Sequence, residues 1–486
     1  MKTYYIKTFG CEMNHADSEK VNMILLQSGF KKVGNYKDAD LIILNTCSVR
    51  QKGEDRVFGL LHEVEKINKI RLKEGKKEIL TGLTGCMVRK TGLNKKHILG
   101  ELNKKKAQNI TYLENESGIF NFDDNLFSRL PNLDFTLRIE EIKYLNFILT
   151  HLYKERIGSD DKFDDYLKQV QLRENKYSAT VIIQKGCDNF CTFCIVPYTR
   201  GREVSRSIEE IIEEIKELAK NGTKEITLVG QNVNSFGKQK NLKLWDEEKS
   251  KWNDGVGKSP FRELLEEINK IPGIDRVRFT SSNPHDMTQD ILDAHFDLDN
   301  TCNYLHLALQ SGNDRMLKKM NRKHSYKDFK DMVLYLREKD PFFTISTDII
   351  VGYSSETESD FLDTINAIKE LEIDFVYIAR YSVRLGTIAS KAFPDDVSDE
   401  IKADRWHRLN EVLEENVKKR SKKMIGRIEK ILVSGVKDGY LFGRTRNFKE
   451  VFFDIVSGIK EGDIVDVEIT EIDNWVLKGK ILEQKK

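Results

Sequence analysis

The chain has 486 residues, too many for one ordinary core, so we expect two to four domains. Hydrophobic residues make up 39% and aromatic residues 9%, which is enough to fill such cores. Lysine and arginine total 80 against 78 aspartates and glutamates. The resulting net charge of +2 excludes a chain-wide field that attracts nucleic acid, so any basic surface must be local.

The N-terminal sequence MKTYYIKTFGCEMN reaches polar residues too early for a secretory signal. No apolar run approaches the ~20 residues that a membrane helix needs. We therefore expect a cytoplasmic protein without a membrane anchor. Seven cysteines are too few for a disulfide scaffold in a chain of this length. Clustered thiols in a reducing compartment indicate a metal site or catalysis.

The first 90 residues alternate predicted strands and helices. TYYIKTF, DADLIILNTC and KKEILTGLTGC are the strands, and SEKVNMILLQSGF and EDRVFGLLHEVEKINKIRLKEG are the helices. This β-α-β-α-β order predicts a small parallel, flavodoxin-like sheet. We assign residues 1–130 to this N-terminal domain, with an atypical extension from about residue 91, and residues 131–178 to a linker.

Residues 179–415 repeat the alternation with six predicted strands: ATVIIQ, EITLVG, DRVRFT, YLHLAL, FFTISTDIIVG and DFVYIAR. Six strand–helix units predict an incomplete parallel (βα)6 barrel. Residues 423–486 contain short strands with glycine turns, which predict a small OB-like β-barrel. The predicted fold class is therefore α/β, with a small β-barrel at the C-terminus.

Three cysteines follow the first barrel strand in GCDNFCTFC. Cys187, Cys191 and Cys194, called the loop triad below, have C-x3-C-x2-C spacing. Electron-transfer proteins hold all four corners of a four-iron cluster with cysteine, whereas three thiolates leave one iron open. S-adenosylmethionine can chelate such an iron, and its reductive cleavage gives a 5′-deoxyadenosyl radical. The loop triad therefore predicts a radical-generating [4Fe-4S] cluster.

A zinc site and buried structural cysteines are the alternatives for the loop triad. Zinc needs a fourth ligand at suitable spacing, and the nearest histidine after Cys194 is His285. Structural cysteines rarely occur in threes within a loop rich in Gly, Asn and Phe. Both alternatives are weaker than the cluster hypothesis.

Three further cysteines, called the N-terminal triad below, each follow a predicted strand of the first domain: Cys11, Cys47 and Cys86. The carboxyl ends of parallel strands lie on one edge of a sheet, so these thiols should converge. They predict a second cluster with one open iron. The alternative is three buried cysteines, but their equivalent positions argue against it. Cys302 is isolated, and we predict a structural role for it.

Seven segments together resemble the radical-SAM methylthiotransferases, namely TFGCEMNHADSEK, ADLIILNTCSVR, TGLTGCM, GCDNFCTFCIVPYTRGREVSR, LVGQNVNSFG, HLALQSGNDRMLKKMNR and STDIIVGY. Within the family, the segments around Cys11 and Cys194 are similar to the MiaB-type branch. The resemblance covers most of the chain. It implies an N-terminal methylthiotransferase domain, a radical-SAM barrel and a C-terminal TRAM domain.

The resemblance also implies an activity. The loop triad would hold the radical-generating [4Fe-4S] cluster, and the N-terminal triad an auxiliary [4Fe-4S] cluster that delivers sulfur. One S-adenosylmethionine would donate a methyl group, and a second would supply the radical. The acceptor would be C2 of N(6)-(dimethylallyl)adenosine next to the anticodon. The implied partners are the tRNA anticodon loop and a flavodoxin- or ferredoxin-type reductant, and we expect a monomer.

Candidate contacts to S-adenosylmethionine are polar residues at the ends of barrel strands: Gln231, Asn232, Asn234, Ser281, Ser282, Gln310 and Ser311. Polar residues end most barrel strands in any case, so both interpretations stay open. The family usually has Pro-Gly where this chain has Ser354 and Ser355, and Pro where it has Leu385. Pro fixes φ and Gly permits positive φ, so we expect differently shaped loops there.

Basic residues near the small barrel form a candidate RNA-binding face: Lys422, Lys423, Arg427, Arg444 and Arg446. Phe448 could stack on a base, and Trp475 is predicted to be core. Arg200 and Arg202 could contact a substrate phosphate or order the loop that carries the triad.

Two other functions remain open. The chemistry could act on another modified adenosine or on a ribosomal protein. The chain could instead be a non-catalytic iron–sulfur protein that binds RNA or senses redox state. The missing fourth ligand at both triads argues against a pure electron carrier.

Overall fold

The computed structural model describes residues 1–47, 51–88, 92–93, 126–158, 166–168, 171, 173, 175–238, 258–473 and 475–482. The predicted extension from about residue 91 lies largely outside these residues. The chain divides into two units. Unit 1 contains Met1–Glu174, Lys185–Glu203 and Arg384–Ala392, and unit 2 contains Asn175–Gln184, Val204–Val383 and Phe393–Lys486.

The described strands are, in chain order, β1 (Thr3–Phe9), β2 (Lys31–Lys32), β3 (Leu41–Thr46), β4 (Leu80–Gly85), β5 (Gly92–Leu93), β6 (Phe135–Thr136), β7 (Ser178–Ile182), β8 (Gln184–Lys185), β9 (Val204–Ser205), β10 (Glu225–Val229), β11 (Arg276–Phe279), β12 (Tyr304–His306), β13 (Thr344–Val351), β14 (Phe375–Arg380), β15 (Ile428–Lys437), β16 (Tyr440–Arg444), β17 (Glu450–Phe453), β18 (Ile464–Asp473) and β19 (Val476–Ile481).

The described α-helices are Glu12–Gln27, Gln51–Lys73, Leu126–Arg129, Leu145–Tyr153, Val196–Thr199, Ile208–Lys220, Pro260–Asn269, Gln289–Asp297, Asp314–Lys319, Tyr326–Lys339, Glu358–Glu370, Ile388–Ala392 and Asp399–Lys422. Short 3-10 helices cover Tyr36–Asp38, Ile139–Tyr144, Tyr166–Lys168, Val233–Ser235 and Pro284–Asp286. None of the helices in the described ranges is both long and apolar enough to cross a bilayer.

Unit 1 is built on a sheet with the strand order β2-β1-β3-β4-β6-β5. All neighbours are parallel except β5 and β6. The apolar run of β3 is buried along its whole length, because it is the third of six strands and has neighbours on both sides. The predicted parallel order of the first three long strands is confirmed.

The predicted linker at 131–178 differs from the structure. β6 pairs with β4, and the helix Leu145–Tyr153 follows it. Leu133, Phe135 and Leu149 are buried, and unit 1 extends to Glu174. The elements here are too short to show a clear hydrophobic period, which is why the sequence pattern did not reveal them.

Unit 2 begins with six parallel strands in two three-stranded sheets, β11-β10-β7 and β12-β13-β14. Isolated parallel bridges, Val277 to Thr301 and Ser282 to Leu307, connect β11 to the segment that carries β12. The six strands are those that the sequence predicts for the incomplete barrel. One boundary differs from the prediction, because residues 185–203 belong to unit 1.

The C-terminal strands form a closed barrel with the order β15-β16-β17-β19-β18, as predicted. Its β16–β17 turn packs on the parallel strands of the same unit. Arg278 donates to the carbonyl oxygens of Thr445 and Arg446, each at 2.7 Å. Phe448 stacks on Tyr304 with ring centroids 4.3 Å apart, so this face is not free for a base.

Two further features of unit 2 concern single side chains, Trp475 and Asp374. Trp475 is 42% exposed, so its prediction as core is wrong. Asp374, just before β14, is buried and accepts hydrogen bonds from three cations: Arg420 at 2.7 Å, Lys449 at 2.9 Å and Arg337 at 3.0 Å. One carboxylate therefore connects the parallel strands, the helix Asp399–Lys422 and the small barrel.

Candidate metal centre

The N-terminal triad lies at the carboxyl edge of the sheet in unit 1. β1 and β3 are paired in register to their last residues, as are β3 and β4. The ladder continues one step further, because Cys47 N donates to Phe9 O and Cys86 N donates to Thr46 O, both at 2.9 Å. Cys11 is the N-cap of the first helix. The three cysteines therefore meet at one edge of the sheet, as the strand order predicts.

The three thiols of this triad interact with one another. Cys47 lies within hydrogen-bonding distance of both Cys11 and Cys86. The Cys47 hydrogen bond is the main cause that lowers the pKa of Cys11, and it also lowers the pKa of Cys86 to about 6. The same contacts raise the pKa of Cys47. Cys47 and Cys86 are buried, whereas Cys11 is exposed, so solvent reaches the triad at Cys11.

A buried arginine is bound to this triad. Arg200 Nε donates to Cys86 Sγ at 3.3 Å, and its Nη2 donates to Asp17 at 2.5 Å. Tyr166 donates its hydroxyl to the other oxygen of Asp17, and Lys20 donates to the Tyr166 carbonyl. All four polar side chains are buried. The charge of Arg200 adds to the lowering of the pKa of Cys86, which favours the thiolate that binds metal.

Buried amides hold the first helix against β3 behind the triad. Asn14 Nδ2 donates to Asn45 Oδ1 at 2.9 Å, and Asn45 Nδ2 donates to Asn14 O at 2.7 Å and to Ser18 Oγ at 3.0 Å. Gly85 precedes Cys86 with φ +91°, and a Cβ there would lie 2.4 Å from Asn45 Oδ1. Only glycine can therefore bring the backbone this close to the amide.

The loop triad lies on residues 185–203, which also belong to unit 1. The loop closes on itself, because Cys187 N donates to Gly201 O at 3.3 Å and Cys194 N donates to Cys191 O at 2.9 Å. Burial raises the pKa of Cys187, and the charges of Cys194 and Cys191 raise it further. Asn189 Nδ2 donates to Cys187 Sγ at 3.7 Å. Cys191 and Cys194 are thus close enough to Cys187 to raise its pKa.

The structure separates the roles of the two arginines that the sequence left open. Arg202 is exposed and donates from Nε and Nη2 to the two oxygens of Asp188, at 2.7 and 3.1 Å. This two-point pair ties the end of the loop to its beginning. Arg200 is buried against Cys86 and Asp17, so it is not available to a substrate phosphate.

Gly186→Ala should disrupt the loop triad. Gly186 has φ +75°, and a Cβ there would lie 2.1 Å from Arg202 O. We expect loss of the iron held by the loop triad and of 5′-deoxyadenosine formation, measured by iron assay and chromatography. Gly439→Ala is the control, because Gly439 has φ +83° with nothing within 4 Å of an added Cβ. Both variants incur the backbone strain of roughly 1–2 kcal/mol, so equal iron contents would contradict the steric argument.

The donor sets fit iron–sulfur clusters. Among the residues the structure describes, no set of three or more His, Cys, Asp and Glu side chains is placed to hold one metal ion. A four-iron cluster does not need that arrangement, because each thiolate binds a different iron. Both triads consist of thiols alone, which is the ligand type these clusters take.

Comparison with known proteins identifies the family. Residues 3–106 match the model of Uncharacterized protein family UPF0004, residues 181–368 the Radical SAM superfamily, and residues 422–482 the TRAM domain. The chain is 38% identical to a tRNA-2-methylthio-N(6)-dimethylallyladenosine synthase of Caldicellulosiruptor saccharolyticus, over 99% of this chain and 93% of that protein. The chain belongs to the tRNA-2-methylthio-N(6)-dimethylallyladenosine synthase family.

Two further members of this family are similar to the chain to about the same extent. The synthase of Acetivibrio thermocellus is 36% identical over 99% of this chain and 91% of its own length. The synthase of Clostridium botulinum strain Okra is 37% identical, over 98% of this chain and 96% of its own length. The resemblance inferred from the sequence segments is therefore confirmed over the whole chain.

Two of the side chains predicted to contact S-adenosylmethionine, Asn234 and Ser311, make hydrogen bonds within this synthase family member. Asn234 donates to Asn283 O at 2.8 Å and accepts from Asn283 N at 2.9 Å. Ser311 lies 3.3 Å from the Thr364 hydroxyl and accepts from Asn313 N at 3.2 Å. These two side chains shape the strand ends.

The other predicted contacts lie near the ends of barrel strands. Asn232 donates to Asp286 at 2.7 Å. Ser282 is buried, and its hydroxyl has no hydrogen-bond partner among the described residues. Ser281 and Gln310 have φ of 68° and 78°, which marks sharp turns next to the bridges that join the strands. Gln231 is partly exposed.

The departures from the synthase pattern have visible consequences. Ser355 adopts φ +60°, the left-handed conformation that glycine takes at less cost. Ser354 is fully buried beside it. Leu385 is 60% exposed, whereas its neighbour Arg384 is buried and donates to Glu54 Oε1 at 2.9 Å. The replaced proline position thus lies outside the packed part of that loop.

Two residues predicted to contact RNA, Arg427 and Arg446, interact with other groups of the protein. Arg446 Nη2 donates to the carbonyl oxygens of Asp299 at 2.7 Å and Thr301 at 2.9 Å. Arg427 donates to Glu429 at 3.0 Å, and its guanidinium lies 3.7 Å from the Phe342 ring centroid. The sequence shows their charge but not these acceptors.

The remaining predicted RNA contacts are more accessible. Lys423 is exposed and donates to Glu372 at 3.1 Å. Lys422 and Arg444 are exposed, and the Arg444 guanidinium lies 4.6 Å from the Phe448 ring centroid.

Proposed function

We propose that this chain is a radical-SAM tRNA methylthiotransferase. It methylthiolates C2 of N(6)-(dimethylallyl)adenosine next to the anticodon, and uses one S-adenosylmethionine as methyl donor and a second as radical source. The observation that carries this proposal is a pair of three-cysteine sets in unit 1, one at the edge of a parallel sheet and one on a closed loop. Relatives across the whole chain carry the name of this activity.

In this proposal the loop triad binds the radical-generating [4Fe-4S] cluster and the N-terminal triad binds the auxiliary one. When bound, the two clusters supply reductive cleavage of S-adenosylmethionine and the sulfur of the methylthio group. Cys47 and Cys86 hold their side from the buried sheet edge, and Cys11 holds the solvent side. Adenine C2–H is neither acidic nor attached to a leaving group, which favours radical abstraction.

For S-adenosylmethionine binding we propose Gln231, Ser281, Ser282 and Gln310, which lie near the ends of barrel strands. Ser282 is the best supported of these, because its buried hydroxyl has no hydrogen-bond partner among the described residues. For RNA we propose Lys422 and Arg444, whose charges are exposed on unit 2. The anticodon loop is single-stranded, so its bases can be splayed out for reaction.

We further propose that the enzyme acts as a cytoplasmic monomer that receives electrons from a flavodoxin- or ferredoxin-type protein. The cytoplasm is where a tRNA substrate and a reducing environment occur together. A low-potential carrier is required because three-thiolate clusters must be reduced before they cleave S-adenosylmethionine.

The test is anaerobic reconstitution with iron and sulfide, followed by reaction with dithionite, S-adenosylmethionine and hypomodified tRNA. We expect 5′-deoxyadenosine and a 2-methylthio-N(6)-dimethylallyl nucleoside, detected by mass spectrometry. Control tRNA without the dimethylallyl group should give no methylthio product. Methylthiolation of that control would assign another adenosine as substrate. Cleavage of S-adenosylmethionine with no methylthio product on any tRNA would contradict the substrate proposal.

The non-catalytic alternative makes a different prediction in the same reaction. An iron–sulfur protein that only binds RNA or senses redox state would bind iron but form no 5′-deoxyadenosine. Purified ribosomal protein, added in place of tRNA, tests the remaining substrate class.

A further inference from the structure

We propose that Arg200 is a positioning residue that sets the hydrogen bonding and the reduction potential of the auxiliary cluster, although its backbone belongs to the loop of the other cluster. This inference rests on the proposed function, because it takes the N-terminal triad as the ligand set of a cluster. It concerns a residue to which neither the sequence pattern nor the comparisons give this role.

The first support is the contact of Arg200 with a ligand sulfur. Arg200 Nε donates to Cys86 Sγ at 3.3 Å, and only 3% of Arg200 is exposed. Hydrogen bonds to ligand sulfurs are among the features by which proteins tune cluster potentials. Among the described residues, Nη1 of Arg200 has no hydrogen-bond partner. Nη1 of the same buried guanidinium can therefore donate a hydrogen bond to a second sulfur atom.

The second support is the set of contacts that fixes this guanidinium. Asp17 is fully buried and accepts from Arg200 Nη2 at 2.5 Å and from the Tyr166 hydroxyl. Lys20 lies 4.1 Å from the Tyr166 ring centroid and donates to its carbonyl. Asp17, Tyr166 and Lys20 therefore hold Arg200 in one orientation toward Cys86.

The third support is the burial of this contact. Arg200 is almost inaccessible and Asp17 is fully buried, so the contact between the Arg200 guanidinium and Cys86 Sγ lies away from solvent. In such a low-dielectric environment a hydrogen bond is electrostatically stronger than in water. A donor held there therefore acts strongly on the sulfur that it contacts.

The fourth support is the contrast with Arg202. Both arginines lie on the loop 185–203, but Arg202 is exposed and pairs with Asp188 in the same loop. The ion pair between Arg202 and Asp188 thus already orders the loop. Arg200 instead reaches a cysteine that the chain places 114 positions away. A residue that only ordered the loop would not need to contact the other triad.

The test uses the full-length chain with Cys187→Ala, Cys191→Ala and Cys194→Ala, which leaves only the N-terminal triad to bind iron. In this background we compare Arg200→Gln, Arg200→Lys and, as the matched control, Arg202→Gln. The measurements are iron content, the electron paramagnetic resonance spectrum of the reduced cluster, and its midpoint potential by redox titration. Thermal unfolding of each variant shows whether it remains folded.

We expect Arg200→Gln to shift the midpoint potential to more negative values, because loss of a donor and a positive charge destabilises the more negative reduced cluster. Arg200→Lys keeps the charge and loses the planar donor, so its shift should be smaller with an altered spectrum. Arg202→Gln should match the background. An unchanged potential and spectrum in both Arg200 variants would overturn the inference.

Two further outcomes are decisive. A background protein that binds about four irons supports the ligand set, so an Arg200 effect can be judged separately. A background that binds none overturns the proposed ligand set and this inference together. If Arg200→Gln does not fold, Arg200→Lys and Asp17→Asn provide the comparison. Asp17→Asn removes the partner that orients Arg200, so an unchanged spectrum in both would contradict the positioning role.

Discussion

Cys47→Ala should halve the iron content of the reconstituted enzyme, from about eight to about four irons per chain. The central thiol of the N-terminal triad is within hydrogen-bonding distance of both others, so all three should bind one cluster, and its loss leaves only two thiolates to hold it. The loop triad is untouched, so cleavage of S-adenosylmethionine to 5′-deoxyadenosine should continue. Formation of the methylthio nucleoside should fall below detection.

The matched controls for this prediction come from the same chain. Cys302→Ala removes another buried cysteine that lies in unit 2, and it should keep about eight irons and full activity. Cys191→Ala should also leave about four irons, but it should abolish 5′-deoxyadenosine as well as the methylthio product. If Cys47→Ala keeps all its iron, the N-terminal triad is not a cluster site.

Asp374→Asn should destabilise unit 2 by about 3–5 kcal/mol, because it leaves the buried cations of Arg337, Arg420 and Lys449 without their shared carboxylate. Tryptophan fluorescence in a urea titration reports on this unit rather than on unit 1, since the sequence of unit 1 contains no tryptophan. The control Asp466→Asn breaks an exposed pair with Lys430 and should cost less than about 1 kcal/mol.

The pH dependence of the same carboxylate gives a second measurement. Burial alone would raise the pKa of Asp374, but the charges of Lys449, Arg420 and Arg337 lower it to about 2. In the unfolded chain the pKa is about 3.9. Its contribution to stability is therefore complete above the unfolded value and is lost as the pH falls from about 4 to about 2. Asp374→Asn should lack this part of the acid dependence, and an unchanged acid profile would contradict the assignment.

The cysteines could be located from the sequence because the carboxyl ends of parallel strands meet at one edge. Strand order alone brings Cys11, Cys47 and Cys86 together, and the register of β1, β3 and β4 agrees with it. The six barrel strands and the closed small barrel follow from hydrophobic periodicity in the same way. Local patterns of this kind do not depend on distant partners.

The partners of long-range contacts could not be predicted. Tyr166 lies in a segment with weak patterning, yet its hydroxyl binds Asp17, 149 positions earlier in the chain. Arg446 and Phe448 resemble a nucleic-acid surface in sequence. In the structure, the segment just before β12 supplies the acceptor carbonyls of Arg446, and Tyr304 in β12 stacks on Phe448. A charge or a ring is visible in sequence, whereas the group that satisfies it is set by tertiary packing.

The loop of residues 185–203 packs as part of unit 1, although family models place its cysteines in the same stretch as the barrel. The boundaries of the family models therefore do not coincide with the boundaries of the packed units. A chimera that joins the first 174 residues of this chain to the remainder of a distant relative would bring Asp17 and Cys86 together with a foreign loop. We expect such a chimera to fold and to bind iron at both triads only when residues 185–203 are transferred together with the N-terminal residues.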